Sequence, residues 1–163
     1  MVIIQTINKN ILDSKELYIA QQCNCNTIKS HGLSNTIANH FGPWADPYSR
    51  RTKKGPNSTT LPDTPGKIVM LKKQNHPLHI LCLMAQWLPG KPGRYASCYP
   101  KTYIDTYENR KIWFQNCLDI MDKQNYGRVA MPYGIGCGLA GGKWEDYEKM
   151  LTECKTEIIL YKI

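Results

Sequence analysis

Residues 132–142 read PYGIGCGLAGG, from Pro132 to Gly142, and carry five glycines within nine positions. The segment from Arg128 to Met131, apolar after its first residue, predicts a short strand before this loop, and residues 143–154 predict a helix after it. Glycine suits backbone that adopts positive φ or approaches a ligand closely. A glycine-rich turn between a strand and a helix exposes several N–H groups beside a positive helix end. The segment therefore predicts a phosphate-binding loop, with a turn that holds no ligand as the alternative.

Strands and helices alternate on both sides of this segment. Strands are predicted at residues 2–7, 17–22, 67–72, 78–85, 128–131 and 157–163, and helices at residues 33–41, after Asp105, and at residues 143–154. This order predicts an α/β fold with a mixed, mostly parallel sheet of about six strands, covered on both faces. Because the pattern continues on both sides of the loops at residues 44–66 and 89–100, residues 1–163 are predicted to form a single domain.

The helix that follows Asp105 has a predicted start and a predicted buried side. Thr102 and Asp105 stand three residues apart, which is typical of a variant capping box at a helix start. The apolar positions that share one helical stripe are Tyr107, Phe114, Cys117, Leu118 and Met121. This stripe is predicted to face the core.

Composition limits the class of protein. The 163 residues carry a net charge of +8 and seven cysteines without zinc-ligand spacing, and no apolar run is long enough to cross a membrane. We therefore expect a monomer in the cytoplasm or nucleus, with reduced thiols and no bound metal or cofactor. The cluster of Arg50, Arg51, Lys53 and Lys54 favours anionic partners, nucleic acid among them, or is simply a solvated basic surface.

A second candidate loop follows the strand predicted at residues 17–22. Asn24 and Asn26 offer donors and acceptors that suit ribose hydroxyls, although such residues are also common turn formers. Ser30, His31, Gly32 and Leu33 open the next helix, whose free N–H groups suit a diphosphate. His31 is the candidate acid–base group of the site, with a purely hydrogen-bonding role as the alternative.

The two loops together resemble the ligand loops of the macro domain family, which bind ADP-ribose across the top of a mixed sheet. The resemblance spans nearly the whole chain, and Gly136-Cys137-Gly138-Leu139 with the later Trp144 is its most specific part. It implies a three-layer α/β/α sandwich. Within the family, the chain is most similar to the branch of ADP-ribose-1''-phosphate phosphatases and terminal ADP-ribose protein glycohydrolases, which includes viral and phage members.

Matching positions imply roles for individual residues. Asn24 would bond the distal ribose, and residues 30–33 would contact the diphosphate and the distal ribose. The family usually has small residues where this chain has Ser30 and His31, so the catalytic role of His31 rests on its place at the helix start. Asn24 and His31 are the candidate catalytic residues. Asn10 and Ile11 would contact adenine. The residues that would wrap the phosphates are Gly134, Ile135, Gly136, Cys137, Gly138, Leu139 and Ala140. The glycohydrolases carry an Asp where this chain has Ala140 and a Lys after the central strand that it lacks, so a covalent lysine mechanism is not expected.

Three functions follow from this reading. The first is a protein that binds ADP-ribose, or ADP-ribosylated protein, and hydrolyses a terminal 1''-phosphate or an ester-linked ADP-ribose. The second is a reader module that binds ADP-ribose and catalyses nothing, which the missing Lys and Asp favour. The third is a binder of poly-ADP-ribose or nucleic acid that uses the basic surface.

Overall fold

The computed structural model describes residues 4–163 and contains a six-stranded sheet together with a small two-stranded one. The strands are β1 (Ile4–Ile7), β2 (Tyr18–Asn24), β3 (Lys53–Gly55), β4 (Ser58–Thr59), β5 (Ile68–Lys72), β6 (His79–Gln86), β7 (Arg128–Pro132) and β8 (Glu157–Tyr161). The large sheet has the order β1-β8-β7-β2-β6-β5. Neighbouring strands of this sheet run parallel, except that β5 runs antiparallel to β6.

The centre of the sheet is buried on both faces. In β6, every residue after His79 is buried, whichever face its side chain takes. A strand of this kind needs covering layers on both sides, which helices provide in a three-layer α/β/α sandwich. The predicted fold class is confirmed. Residues 2 and 3 of the first predicted strand lie outside the described residues.

The α-helices of the described residues are α1 (Gly32–Phe41), α2 (Tyr107–Gln124) and α3 (Trp144–Glu153). Helix α2 packs on β6 and also contacts α3. The sequence prediction of its start was wrong, because Thr106 is the N-cap and its hydroxyl accepts from the Asn109 N–H. The carboxylate of Asp105 instead pairs with Arg110. Tyr107 departs from the predicted buried stripe, because it is exposed.

The long loop at residues 44–66 contains a hairpin that the sequence did not predict. Strands β3 and β4 pair antiparallel, but they are short and mostly polar, so they lack the apolar alternation that marks a strand. The hairpin lies beside the loop that follows β2, because the Asn57 side chain accepts from the N–H groups of Ile28 and Lys29.

Within residues 4–163 no helix combines the length and the apolar character that a membrane span requires. All seven cysteines are free thiols. Cys98 is exposed, Cys137 is half-buried, and the others are buried in the core, where a thiol packs as a small apolar group.

Candidate functional site

The candidate site is a cleft at one edge of the large sheet. Strands β7, β2 and β6 are parallel neighbours, so their carboxyl ends, at Pro132, Asn24 and Gln86, meet at the same edge. The loops that follow these strands enclose a cleft of about 290 Å³. Open α/β sheets bind ligands at this edge of the sheet.

The cleft brings together most of the residues that the sequence predicted for the site. It is lined by Asn24, His31, Gly32, Leu33, Gly134, Ile135, Gly136, Cys137, Gly138, Leu139 and Ala140. The loop near Asn24 and the glycine-rich segment therefore face each other across one cavity. A Cβ at Gly32 would stand 3.5 Å from Cδ1 of Leu139, so the two walls come into contact there.

Four predicted residues lie outside the lining of this cleft. Asn10 caps a short 3₁₀ helix by accepting from the Leu12 N–H, and Ile11 is buried in the core, so their contact with adenine stays a prediction. Asn26 is fully buried and donates to the carbonyl of Trp87. The Ser30 hydroxyl donates to the side-chain oxygen of Asn35 at 3.4 Å. The Asn26 side chain therefore contacts the loop after β6, and the Ser30 side chain contacts α1.

The glycine-rich segment forms a closed loop with backbone bonds of its own. Gly134 and Gly136 adopt φ of 80°, a region that L side chains rarely occupy. The N–H of Gly142 donates to the Gly136 carbonyl at 3.1 Å and draws the two ends of the loop together. The buried ring of Tyr147 fills the space beside Gly136 and Gly142. These glycines are therefore required by the backbone and by packing.

The helix end at the cleft belongs to α1. His31 is the N-cap of α1 and makes no capping hydrogen bond through its side chain, which leaves the first N–H groups of the helix without a side-chain cap. These groups and the helix dipole favour an anion. Helix α3, which the sequence predicted would add its dipole, begins at Trp144, beyond the cleft lining, and carries Glu145 and Asp146 in its first turn.

The loop after β2 is held from inside by Asn24 and Arg51. The Asn24 side-chain oxygen accepts from the N–H groups of Asn26 and Thr27 at 3.0 Å, and its Nδ2 donates to the Thr27 hydroxyl. One hydrogen of Nδ2 is left over. The Arg51 guanidinium donates to the carbonyls of Asn24 and Thr27 and pairs with Asp63.

Sequence reasoning included Gln22 in the candidate segment at residues 21–26 but gave no individual role to Gln22 or Gln86, which form the floor of the cleft. They lie side by side at the ends of β2 and β6, and Gln22 Nε2 donates to Gln86 Oε1 at 2.8 Å. Gln86 Nε2 donates in turn to the carbonyl of Leu88. Tyr48 also lines the cleft, and its hydroxyl accepts from the Asn24 N–H. A glutamine at a strand end carries no sequence signal, because its role depends on which strand lies beside it.

The charged groups of the cleft suit an anion. Among the described residues that line it, Lys29 and His31 are the basic side chains, and none is Asp or Glu. Burial, and secondarily Asp146, raises the pKa of the Cys137 thiol to about 11. Burial also raises the pKa of Tyr48 well above its usual range, with the neighbouring Cys23 as a second cause. Both groups therefore stay neutral near pH 7.

The predicted basic cluster is less uniform than its sequence indicates. Arg50 and Arg51 both pair with Asp63 at 2.7 Å, so one carboxylate offsets part of their charge. Lys53 and Lys54 are exposed on β3. Across residues 4–163, no three His, Cys, Asp or Glu side chains are grouped so that they could hold a metal ion.

No family model matches the chain, and no curated protein matches it in sequence. Solved structures do match its fold. The macrodomain of Mycobacterium tuberculosis DarG is similar with a TM-score of 0.64 and 17% identity, over 98% of this chain and 97% of that one. The macrodomain of Thermus aquaticus DarG gives 0.63 and 10% identity, over 100% and 99%.

A Trypanosoma brucei macrodomain, solved in complex with ADP-ribose, gives a TM-score of 0.61 and 12% identity, over 98% of this chain and 63% of that one. At such identities the agreement concerns the course of the backbone, which these structures share with the present sheet and helices over nearly the whole of this chain. The chain therefore has the macrodomain fold.

Proposed function

We propose that the cleft binds ADP-ribose or a close derivative. The observation that carries this proposal is the convergence of three backbone features on one cavity: the glycine loop 134–140, the N-terminus of α1 and the loop after β2. The T. brucei macrodomain of the same fold was solved in complex with ADP-ribose. The cleft volume of about 290 Å³ is just below the range of small-molecule sites, roughly 300–1,000 Å³.

The diphosphate would lie between the glycine loop and the start of α1. Both supply backbone N–H groups, and the positive φ of Gly134 and Gly136 allows the loop to curve around an anion. Lys29 adds a positive charge, while no carboxylate among the described residues lines the cleft to oppose it. A ligand with two negative phosphates therefore suits this part of the cleft.

The ribose hydroxyls would meet the amide side chains. Asn24 keeps one Nδ2 hydrogen free, and the Oε1 of Gln22 is a buried acceptor without a partner among the described residues. Hydroxyl groups both donate and accept, so a sugar can satisfy each of these groups. The amides thus favour a nucleotide sugar over an inorganic phosphate.

Calorimetry with ADP-ribose tests the binding proposal. We expect the wild-type protein to bind, and the Asn24→Ala variant to bind at least tenfold more weakly, which corresponds to about 1.4 kcal/mol. AMP, which lacks the second phosphate and the second ribose, is the matched control ligand and should bind more weakly than ADP-ribose. The proposal fails if wild-type protein shows no binding of ADP-ribose up to about 1 mM, near −4 kcal/mol.

Hydrolysis of the bound ligand is a second candidate function, and the position of His31 favours it. His31 is exposed, lines the cleft and is not used as a side-chain cap. An imidazole there has access to a water molecule or a leaving group on the ligand. Ala140 occupies the position of the family's Asp, and none of the described lining residues is acidic, which argues against a mechanism that depends on a carboxylate.

Activity assays separate a hydrolase from a reader. ADP-ribose-1''-phosphate and, separately, a protein that carries ester-linked ADP-ribose are incubated with wild-type protein and with His31→Asn. A hydrolase releases phosphate or free ADP-ribose, and His31→Asn slows this release by about 10²-fold or more, the typical contribution of acid–base catalysis. If ADP-ribose binds but neither substrate is consumed, the chain is a reader.

A further inference from the structure

Arg110 is a buried cation outside the cleft lining, to which the proposed function assigns no role. Its side chain is 1% exposed, and it lies in the first turns of α2. The guanidinium forms a two-point ion pair with Asp105, in which Nε donates to Oδ1 at 2.7 Å and Nη2 donates to Oδ2 at 2.8 Å. A buried charge is retained only when its partners replace its lost hydration.

The remaining N–H groups of Arg110 reach two different loops. Nη1 donates to the carbonyl of Gly90 at 2.7 Å and to that of Ala140 at 3.3 Å, and Nη2 donates to the carbonyl of Leu88 at 3.1 Å. Asp105 contacts the first of these loops as well, because its Oδ2 accepts from the Leu88 N–H at 2.8 Å. The ion pair therefore joins the loop that follows β6 to the loop that follows β7.

Both loops form walls of the cleft, since Gly90 and Ala140 line it. The internal bonds of the glycine segment shape that loop but do not connect it to the loop at residues 88–90. Gly90 and Gly141 both adopt positive φ, so each loop has a conformationally permissive glycine at, or next to, the carbonyl that Arg110 contacts. Five N–H donors in a planar fork suit a group that must hold several carbonyls at fixed positions.

We propose that Arg110, oriented by Asp105, is a positioning residue that sets the spacing between the Gly90 and Ala140 walls and thereby the affinity for the ligand. This inference rests on the proposed function for its ligand, ADP-ribose. Lysine at this position keeps the charge, but a single ammonium group replaces the planar fork that reaches three carbonyls and Asp105. The Arg110→Lys protein should therefore fold, but both loops should lose hydrogen bonds that fix their positions.

The test compares Arg110→Lys and Asp105→Asn with Leu118→Val, which shortens a fully buried side chain on the same helix. Each protein is measured for thermal unfolding, for its Kd for ADP-ribose by calorimetry, and for backbone amide exchange by mass spectrometry. We expect Arg110→Lys to weaken binding at least tenfold and to speed exchange in peptides that cover residues 88–91 and 133–142. Leu118→Val should lower the melting temperature with wild-type Kd and wild-type exchange in these peptides.

The inference is overturned if Arg110→Lys matches Leu118→Val in both Kd and loop exchange at comparable melting temperatures. If Arg110→Lys does not fold, Asp105→Asn is judged by the same criteria, because it preserves the size of the side chain and an acceptor for Leu88. If wild-type protein does not bind ADP-ribose, the proposed function fails. Amide exchange in the two loops is measured without ligand, and it then decides by itself whether Arg110 positions the Gly90 and Ala140 walls.

Discussion

The ring of Tyr147 lies so close to Gly136 that a Cβ at Gly136 would stand 2.6 Å from Cε2 of the tyrosine. Gly136 also has φ of 80°. Packing and backbone conformation therefore independently require glycine at the centre of the candidate phosphate loop. Burial raises the pKa of Tyr147 to about 12, with Cys137 as a further cause, so the ring that supports the loop remains neutral over the physiological range.

Gly136→Ala should destabilise the protein by about 2–4 kcal/mol, from the cost of positive φ together with overpacking against Tyr147. Gly138→Ala is the matched control for stability, because no atom beyond its two chain neighbours lies within 4 Å of its Cβ position and its φ is not in the positive region. Urea unfolding of both variants measures the difference. Equal free energies of unfolding would show that Tyr147 does not constrain the loop.

Arg51→Leu should lower the free energy of unfolding by about 2–5 kcal/mol, because it leaves the buried carbonyls of Asn24 and Thr27 without their donor. Asp63 keeps its ion pair with Arg50 and loses only the one with Arg51. Arg50→Ala removes a cation that contacts the same oxygen of Asp63 but has a side chain 39% exposed. Arg50→Ala should lower the free energy of unfolding by at most about 1 kcal/mol. Chemical denaturation compares the two variants, and a similar loss in both would rule out a structural role peculiar to Arg51.

Asn24→Asp should preserve the turn but weaken ADP-ribose binding. The carboxylate still accepts from the N–H groups of Asn26 and Thr27, while it loses the Nδ2 donors and adds a negative charge beside an anionic ligand. We expect a loss of at least tenfold, about 1.4 kcal/mol, by calorimetry. Asn39→Asp, which adds the same charge to an exposed position of α1, should retain affinity. Unchanged binding by Asn24→Asp would remove Asn24 from the ligand site.

The rate at which the Cys137 thiol is alkylated should depend on pH and on bound ligand. Since the pKa of its thiol is raised to about 11, the reactive thiolate is scarce at neutral pH. Alkylation by iodoacetamide should accelerate by about tenfold per pH unit between pH 7 and 9.5, without a plateau. Bound ADP-ribose should protect Cys137 but not the exposed Cys98, as mass spectrometry of the labelled peptides can show. A plateau near pH 8 would contradict the raised pKa.

Local sequence patterns were sufficient for most of the elements that position the cleft. The apolar runs around β6 and β7 and the helical spacing of α1 predicted these elements to within a few residues. The glycine segment was also recognisable from the sequence, because few residue types other than glycine adopt the positive φ that Gly134 and Gly136 have. The hairpin of β3 and β4 escaped prediction, because its pairing involves short polar strands with no apolar face.

The sequence by itself thus determined an α/β chain with a glycine-rich loop after a strand and a second polar loop near Asn24. Only the tertiary structure decided that β7, β2 and β6 are neighbours, and hence that the two loops share one cleft with Gln22 and Gln86 as its floor. It also decided that Arg110 would join two loop walls. The reason is that these contacts link residues far apart in the chain, such as Arg110 and Ala140, and local preferences carry no information about which distant carbonyl a buried guanidinium will meet.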